Sequence, residues 1–286
     1  MLPEGKSIPC RLFFLLAQNA DIGVILRRGP SKWVQVIRWD TARDVFEPGQ
    51  WFHGRIYEHQ TDLSPDGKYM VYFAQKQNRS TYREDYKHNW TAISRPPYLT
   101  ALALWPLGFF TAGGGVFETE RRLWLSHPSF AMAPHPDHLP VGLDSVVPLD
   151  GMGNNESVLF QRLERDGWIN IHKERGGRTG VEASAYQLGV FEKPGPDKTY
   201  VLQMTEAFTG SGYGFLFVVR HKHGQIGLDG VVWAEWDRSG RLVFARSGKI
   251  WTGSIDKSGH WHEAELADFN AAQPEQLKAP TWATRW

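Results

Sequence analysis

Leu63-Ser-Pro-Asp-Gly-Lys-Tyr-Met-Val-Tyr-Phe-Ala74 is the stretch on which the reading of this chain turns. A polar turn with Gly near its end, running into alternating apolar residues, is how a β-hairpin is written. The phrase returns in altered form as Glu235-Trp-Asp-Arg-Ser-Gly-Arg-Leu-Val-Phe-Ala245. Recurrence at a distance announces a repeat architecture before any single motif does.

Working outward, Val116-Phe117 to Leu123-Trp124 and Val243-Phe244 to Ile250-Trp251 share Val-Phe, a basic residue, an aliphatic and Trp at the same spacing. Val158-Leu-Phe160 followed by Arg165-Asp-Gly-Trp168 has the same form with one residue more, and Pro196 to Leu202 echoes Pro65 to Val71. Each hairpin follows another short apolar run: Leu99 to Trp105, Val146 to Leu149, Tyr186 to Phe191 and Val231 to Trp236. The runs begin roughly every 42–45 residues, the period of a four-stranded propeller blade. Inner strands are expected near Gln60, Ala101, Val146, Leu188 and Trp233. Trp282 to Trp286 has nothing after it and Arg11 to Phe14 no comparable strand before it, so the two ends are expected to complete one blade and remove a free edge. The expectation is an all-β, six-bladed β-propeller, with five blades as the alternative, a single domain over 1–286 whose ring is closed by the C-terminal strand joining the N-terminal blade. Lys32-Trp33 and His260-Trp261, each Trp followed seven residues on by Asp40 and Asp268, align outer strands of the first and last blades.

Ser64-Pro-Asp-Gly-Lys68 followed by Tyr-Met-Val-Tyr resembles the repeat signature of TolB-like and WD-type propellers. The resemblance extends over the chain as a period, and it implies fold rather than function, because propellers host binding modules, scaffolds and several enzyme classes.

Composition narrows the functional classes. Lys+Arg 32 against Asp+Glu 31 leaves a net charge of +1, so no global field gathers nucleic acid or an anionic membrane. Leu12 to Ala17 is too short for a signal-peptide core and is abutted by Arg11, so it reads as a strand. No run approaches the ~20 apolar residues of a membrane span. Cys10 is the single cysteine, which fits a reducing compartment, and a cytoplasmic monomer without nucleic-acid or membrane partners is expected.

Five of the 13 Trp residues read as core: Trp105, Trp124, Trp233, Trp236 and Trp251 occupy strand positions where a large ring fills the wedge between blades, whereas Trp51, Trp90 and Trp168 sit near turns. Candidate chemistry belongs to the loops around a central channel. That selection gives His59, Arg95, Arg175, Arg178, Glu182, His221, His223 and Asp229 as ligand-binding candidates, with His53, His135 and His138 beside them. The loop Lys76 to Asn89 overhangs the same face, carrying Lys76, Arg79, Arg83, Lys87 and His88 among Glu84 and Asp85. Guanidinium groups from several blades favour a small anionic or strongly hydrogen-bonding ligand. No metal motif, nucleophile elbow or phosphate loop is recognisable, so neither metal nor cofactor is expected. The preferred reading is a binding or scaffold module for an anionic ligand or a protein partner. The alternative is a propeller hydrolase, either glycosidase-like with two carboxylates among Glu58, Asp62, Asp144, Glu182, Glu206 and Asp229, or lactonase-like with a divalent cation held by the group Asp150, Asn154, Asn155 and Glu156.

Overall fold

The computed structural model describes residues 8–76, 83–108, 112–149, 157–171, 189–196, 198–209, 212–222, 224–256 and 258–286. Among the described residues strands predominate, and they fall into five sheets in chain order. Sheet 1 is β1 (Arg11–Leu16), β2 (Ile22–Arg28), β3 (Trp33–Asp40) and β4 (Val45–His53); sheet 2 is β5 (Arg55–Leu63), β6 (Met70–Gln75), β7 (Asn89–Ser94) and β8 (Ala103–Leu107). Both are antiparallel meanders. Sheet 3 is β9 (Gly115–Phe117), β10 (Arg122–Leu125) and β11 (Ser145–Pro148), and α1 (Ser157–Arg165) follows it. Sheet 4 is β12 (Ile169–Asn170), β13 (Val190–Pro194), β14 (Tyr200–Thr209), β15 (Gly212–His221) and β16 (Gly224–Gly227). Sheet 5 is β17 (Val231–Trp236), β18 (Leu242–Arg246), β19 (Lys249–Ile255) and β20 (Trp261–Asp268). The chain divides into two compact units, Met1–Arg162 with Phe269–Trp286, and Leu163–Asp268.

The recurring phrase makes the same turn twice. At Ser64 to Tyr69 the Ser64 hydroxyl bonds Asp66, Asp66 accepts the Lys68 N–H at 3.1 Å, and Gly67 takes φ +72°. At Asp237 to Arg241 the Asp237 carboxylate accepts the Ser239 hydroxyl at 2.7 Å and the Arg241 N–H at 2.9 Å, with Gly240 at φ +85°. In each, a short polar side chain caps the backbone and Gly supplies the left-handed residue. Both turns join the first and second strands of their sheets. Trp33 and Trp261 both open eight-residue strands that end at the aligned Asp, β3 and β20.

In the first unit, the pleat of sheet 2 separates two faces. Val71, Ile93, Ala103 and Trp105 face Phe117, Leu123 and Leu125 of sheet 3 in one buried cluster. Tyr72, Trp90 and Leu104 lie on the opposite face, as their pairing register dictates. First strands lie against one another, β1 on β5 and β5 on β9. The close approach of β5 to the sheet 3 entry requires glycine: Gly114 has φ +78°, and a Cβ there would stand 2.0 Å from the Gln60 carbonyl oxygen. In the second unit, Trp233 on β17 receives the edges of Phe215 and Phe217 from β15, at 5.8 and 6.1 Å. Trp168, 3% exposed, donates to Glu235 there.

Several expectations are corrected. Five sheets are formed among the described residues, and the blade expected from the two chain ends is not one of them. Sheet 1 completes its four strands from residues 11–53, and Thr281–Ala283 is a 3-10 turn. The C-terminal segment is held instead by side chains. Arg27, 2% exposed in β2, donates to the carbonyls of Gly29, Phe269, Asn270 and Ala272. Trp286 packs on the sheet 2–sheet 3 cluster and donates to the carbonyls of Leu102 and Leu139. The Leu99 to Trp105 run proves to be the last strand of sheet 2 rather than the first of a new sheet. The Val146 run forms β11, which pairs parallel to β10 at the sheet edge. Val158 to Trp168 is no hairpin: Val158, Leu159, Arg162 and Leu163 are buried at helical spacing, and Gly167 at φ +87° ends α1 with the Gly167 N–H on Glu164 and the Trp168 N–H on Leu163. The Val116 and Val243 hairpins are not equivalent either, since Phe117 pairs with Leu123 whereas Phe244 pairs with Trp251. A two-residue turn at Ser247-Gly248 shifts the second register by one. In both hairpins the aliphatic residue, Leu123 or Ile250, is fully buried, while Trp124, Trp251 and Trp236 are half-buried; Trp105 and Trp233 are buried as expected.

Candidate functional site: a basic, aromatic cleft over sheet 2

The face of sheet 2 turned away from sheet 3 forms the floor of a cleft of about 390 Å³. Tyr72, Trp90 and Leu104 rise from β6, β7 and β8 because side chains alternate along each strand, and Leu99 and Ala101 border them. Phe52 of β4 meets Trp90 edge to face, with ring centroids 5.9 Å apart. The β4 strand is held there by Gln50, whose N–H donates to the Pro97 carbonyl and whose side-chain oxygen accepts the Leu99 N–H at 2.7 Å. Tyr72 is 4% exposed and its hydroxyl donates to the Leu99 carbonyl at 3.0 Å; burial pushes its phenol well above the ordinary range. It offers the cleft a ring, its hydroxyl being already engaged.

Charge stands at the rim. Lys76 follows β6, its N–H donating to the His88 carbonyl at 2.9 Å, and its ammonium has no ion-pair partner among the described residues. Arg83 donates two bonds to Asp85, at 3.2 and 2.7 Å, and holds that carboxyl below its usual range. Lys87 pairs with Glu84. Tyr86 fixes this loop in place. Its ring stacks on His135 at 4.1 Å, the Arg83 guanidinium lies 4.6 Å over it, and its hydroxyl bonds His138 Nε2 at 3.1 Å. His135 is 4% exposed, its Nδ1 accepts the Asp137 N–H, and its Nε2 faces Asp85 at 3.5 Å. The chain segment bearing both histidines runs along β8, with His135 N–H on the Leu104 carbonyl and Leu104 N–H on that of His138.

Of the eight residues selected from sequence, Arg175, Arg178, Glu182 and His223 lie outside the described residues. His59, in β5, meets Phe13 edge to face at 5.7 Å. Arg95 lies over Tyr69, donates to its hydroxyl at 3.1 Å and reaches the Arg285 carbonyl at 3.3 Å. In the second unit, His221 ends β15 opposite Tyr200, and Asp229 is exposed in the turn before β17. The candidate acids hold backbone or basic partners: Asp62 accepts the Phe117 N–H at 2.8 Å, Glu206 accepts the Gly189 N–H, Asp144 pairs with Arg121 and Glu58 with Arg28. Among the described residues no group of three or more His, Cys, Asp or Glu side chains could hold a metal ion, and no helix is long and apolar enough to cross a membrane. Of the cleft's rim, Lys76, Arg83, Lys87 and His138 were visible in sequence as parts of a basic loop and a His-rich segment. Its floor was not, because Phe52, Tyr72 and Trp90 look like any core-facing aromatics until the register assigns them a face.

No family model matches the chain, and no curated relative does. Among solved structures it is similar to an uncharacterized protein of Listeria monocytogenes EGD-e, at 10% identity over 94% of this chain and 86% of that one, with a TM-score of 0.34. It is also similar to the GH43 protein BlXynB of Bacillus licheniformis, at 8% identity over 96% of this chain and 59% of that one, with a TM-score of 0.30. At such scores these likenesses carry no argument about the site, which is read from its own residues.

Proposed function

We propose that the protein is a non-enzymatic binding module on a propeller-type succession of sheets, and that it takes an anionic ligand in the cleft over sheet 2. The observation that carries this reading is a half-buried cation, Lys76, beside an apolar floor of Phe52, Tyr72 and Trp90. A concave, mostly apolar pocket with a few convergent polar groups is the usual form of a small-molecule site. The succession of first strands, β1 on β5 on β9, supports the blade-like arrangement. The hydrolase alternative needs two carboxylates at work across a cleft, whereas Asp85 and Glu84, the acids at this rim, are occupied by Arg83 and Lys87. Arg175, Arg178 and His223 stand as a second proposed anion site.

The test is a thermal-shift panel of carboxylates, phosphates and acidic sugars. A ligand at ~100 times its dissociation constant adds ~2.7 kcal/mol of stability when it binds only the folded state. A hit abolished by Lys76→Gln assigns it to the cleft, and one abolished by Arg175→Ala with Arg178→Ala assigns it to the second site. A hit indifferent to all three substitutions removes both assignments.

A further inference from the structure

The chemistry of the cleft narrows its ligand further, on the reading that the cleft is an anion site. Among the described residues the charged side chains at the rim are Lys76, Arg83, Lys87, Glu84 and Asp85, three positive and two negative, leaving one unit of positive charge; Arg79 lies outside the described residues. Both carboxylates are held by Arg83 and Lys87, so the unmatched charge is that of Lys76. A ligand bearing one negative charge is matched by Lys76, while a second or third would lack an unpaired cation among the described residues.

The floor sets the other half of the ligand. Phe52 and Trp90 present ring edges and faces at 87° to each other, Tyr72 presents a ring whose hydroxyl is bonded to Leu99, and Leu99, Ala101 and Leu104 complete an apolar surface. Planar rings gain from stacking and edge contacts with such partners beyond the area they bury. A hydroxyl-rich sugar would bury polar groups against this floor without partners, which disfavours it. The cleft, at about 390 Å³, is also far larger than an inorganic ion needs. We infer that the ligand is an aryl or heteroaryl monocarboxylate, its ring on Phe52, Tyr72 and Trp90 and its carboxylate on the Lys76 ammonium.

Four probes separate the components: 2-naphthoate, its neutral isostere 2-naphthamide, hexanoate as an anion without a ring, and inorganic phosphate. Binding is followed by calorimetry and by Trp fluorescence, with the intact chain and with Lys76→Gln. The expected result is that 2-naphthoate binds at least tenfold more tightly than the other three, and that Lys76→Gln removes its advantage over 2-naphthamide while leaving 2-naphthamide itself unchanged. Equal affinity for naphthoate and naphthamide, or naphthoate binding indifferent to Lys76→Gln, overturns the inference. Phosphate or hexanoate binding as tightly as naphthoate, and lost in Lys76→Gln, overturns the aryl carboxylate while leaving the anion site standing. If no anion binds at millimolar concentration, both readings fall.

Discussion

His127 should make stability fall with acidity in a window set by its own burial. The side chain is 0% exposed and sits in a chain of hydrogen bonds: Gly114 N–H to Thr91 Oγ1 at 2.7 Å, the Thr91 hydroxyl to His127 Nε2 at 2.8 Å, and His127 Nδ1–H to the Ala131 carbonyl at 3.0 Å. A proton on Nε2 would oppose the Thr91 hydroxyl and put a charge in an apolar setting. Burial accordingly lowers the imidazole pKa from 6.5 to about 4, the Ala131 bond opposing this in smaller measure. The unfolded chain takes up its proton near pH 6.5, and the folded chain resists until about pH 4. Stability is thus fully present above pH 6.5 and drains as pH falls toward 4, with the unfolded state binding more protons throughout. At pH 4.5 the loss is about 2.5 kcal/mol, since each pH step between the two titrations is worth about 1.36 kcal/mol. Urea unfolding from pH 7.5 to 4.5 should show this slope in the parent chain. His127→Gln should begin less stable but lose about 2.5 kcal/mol less over the same range. Parallel pH profiles for the two chains would refute the argument.

Two further outcomes test the fold. Arg27→Leu leaves the Phe269, Asn270 and Ala272 carbonyls without their donor, and should cost at least ~3 kcal/mol and expose the C-terminal segment to limited proteolysis; an uncut, undiminished variant would show that the segment is held by other means. Trp105→Ala, at a 1% exposed position, should cost ~3–5 kcal/mol in denaturant unfolding, with half-buried Trp124→Ala costing less than half of that. Equal losses would mean that the sheet 2–sheet 3 cluster does not carry the unit.

Much of the strand content was legible in the chain because hairpin turns are local. Ser64 to Lys68 and Asp237 to Gly240 declare themselves through a capping side chain and a left-handed Gly within five residues. The grouping of strands into sheets was less legible. The run ending at Trp105 looks the same whether it ends one sheet or begins the next, and the choice is made by Ala103 pairing with Ile93 on β7. The Trp124 and Trp251 spacings agree, yet a two-residue turn at Ser247-Gly248 moves the register by one, so that Phe117 pairs with Leu123 whereas Phe244 pairs with Trp251. Val158 to Arg165 has an apolar content that suits a strand, and only burial at helical spacing separates the two. The C-terminal attachment rests on Arg27 donating to carbonyls more than 240 positions away, which no local pattern encodes.

The cleft draws on three successive sheets: Phe52 comes from sheet 1, Tyr72, Trp90 and Leu104 from sheet 2, and His138 from the crossover that the parallel β10–β11 pair of sheet 3 requires. An antiparallel turn could have been a few residues long, but a parallel return must travel back the length of a strand, and here it does so along β8. A molecule seated in the cleft would therefore touch parts that separate if any one of the three sheets undocks. Its binding energy would be felt as cooperativity among them, so that occupancy would merge what could otherwise be stepwise opening of the first unit into a single transition.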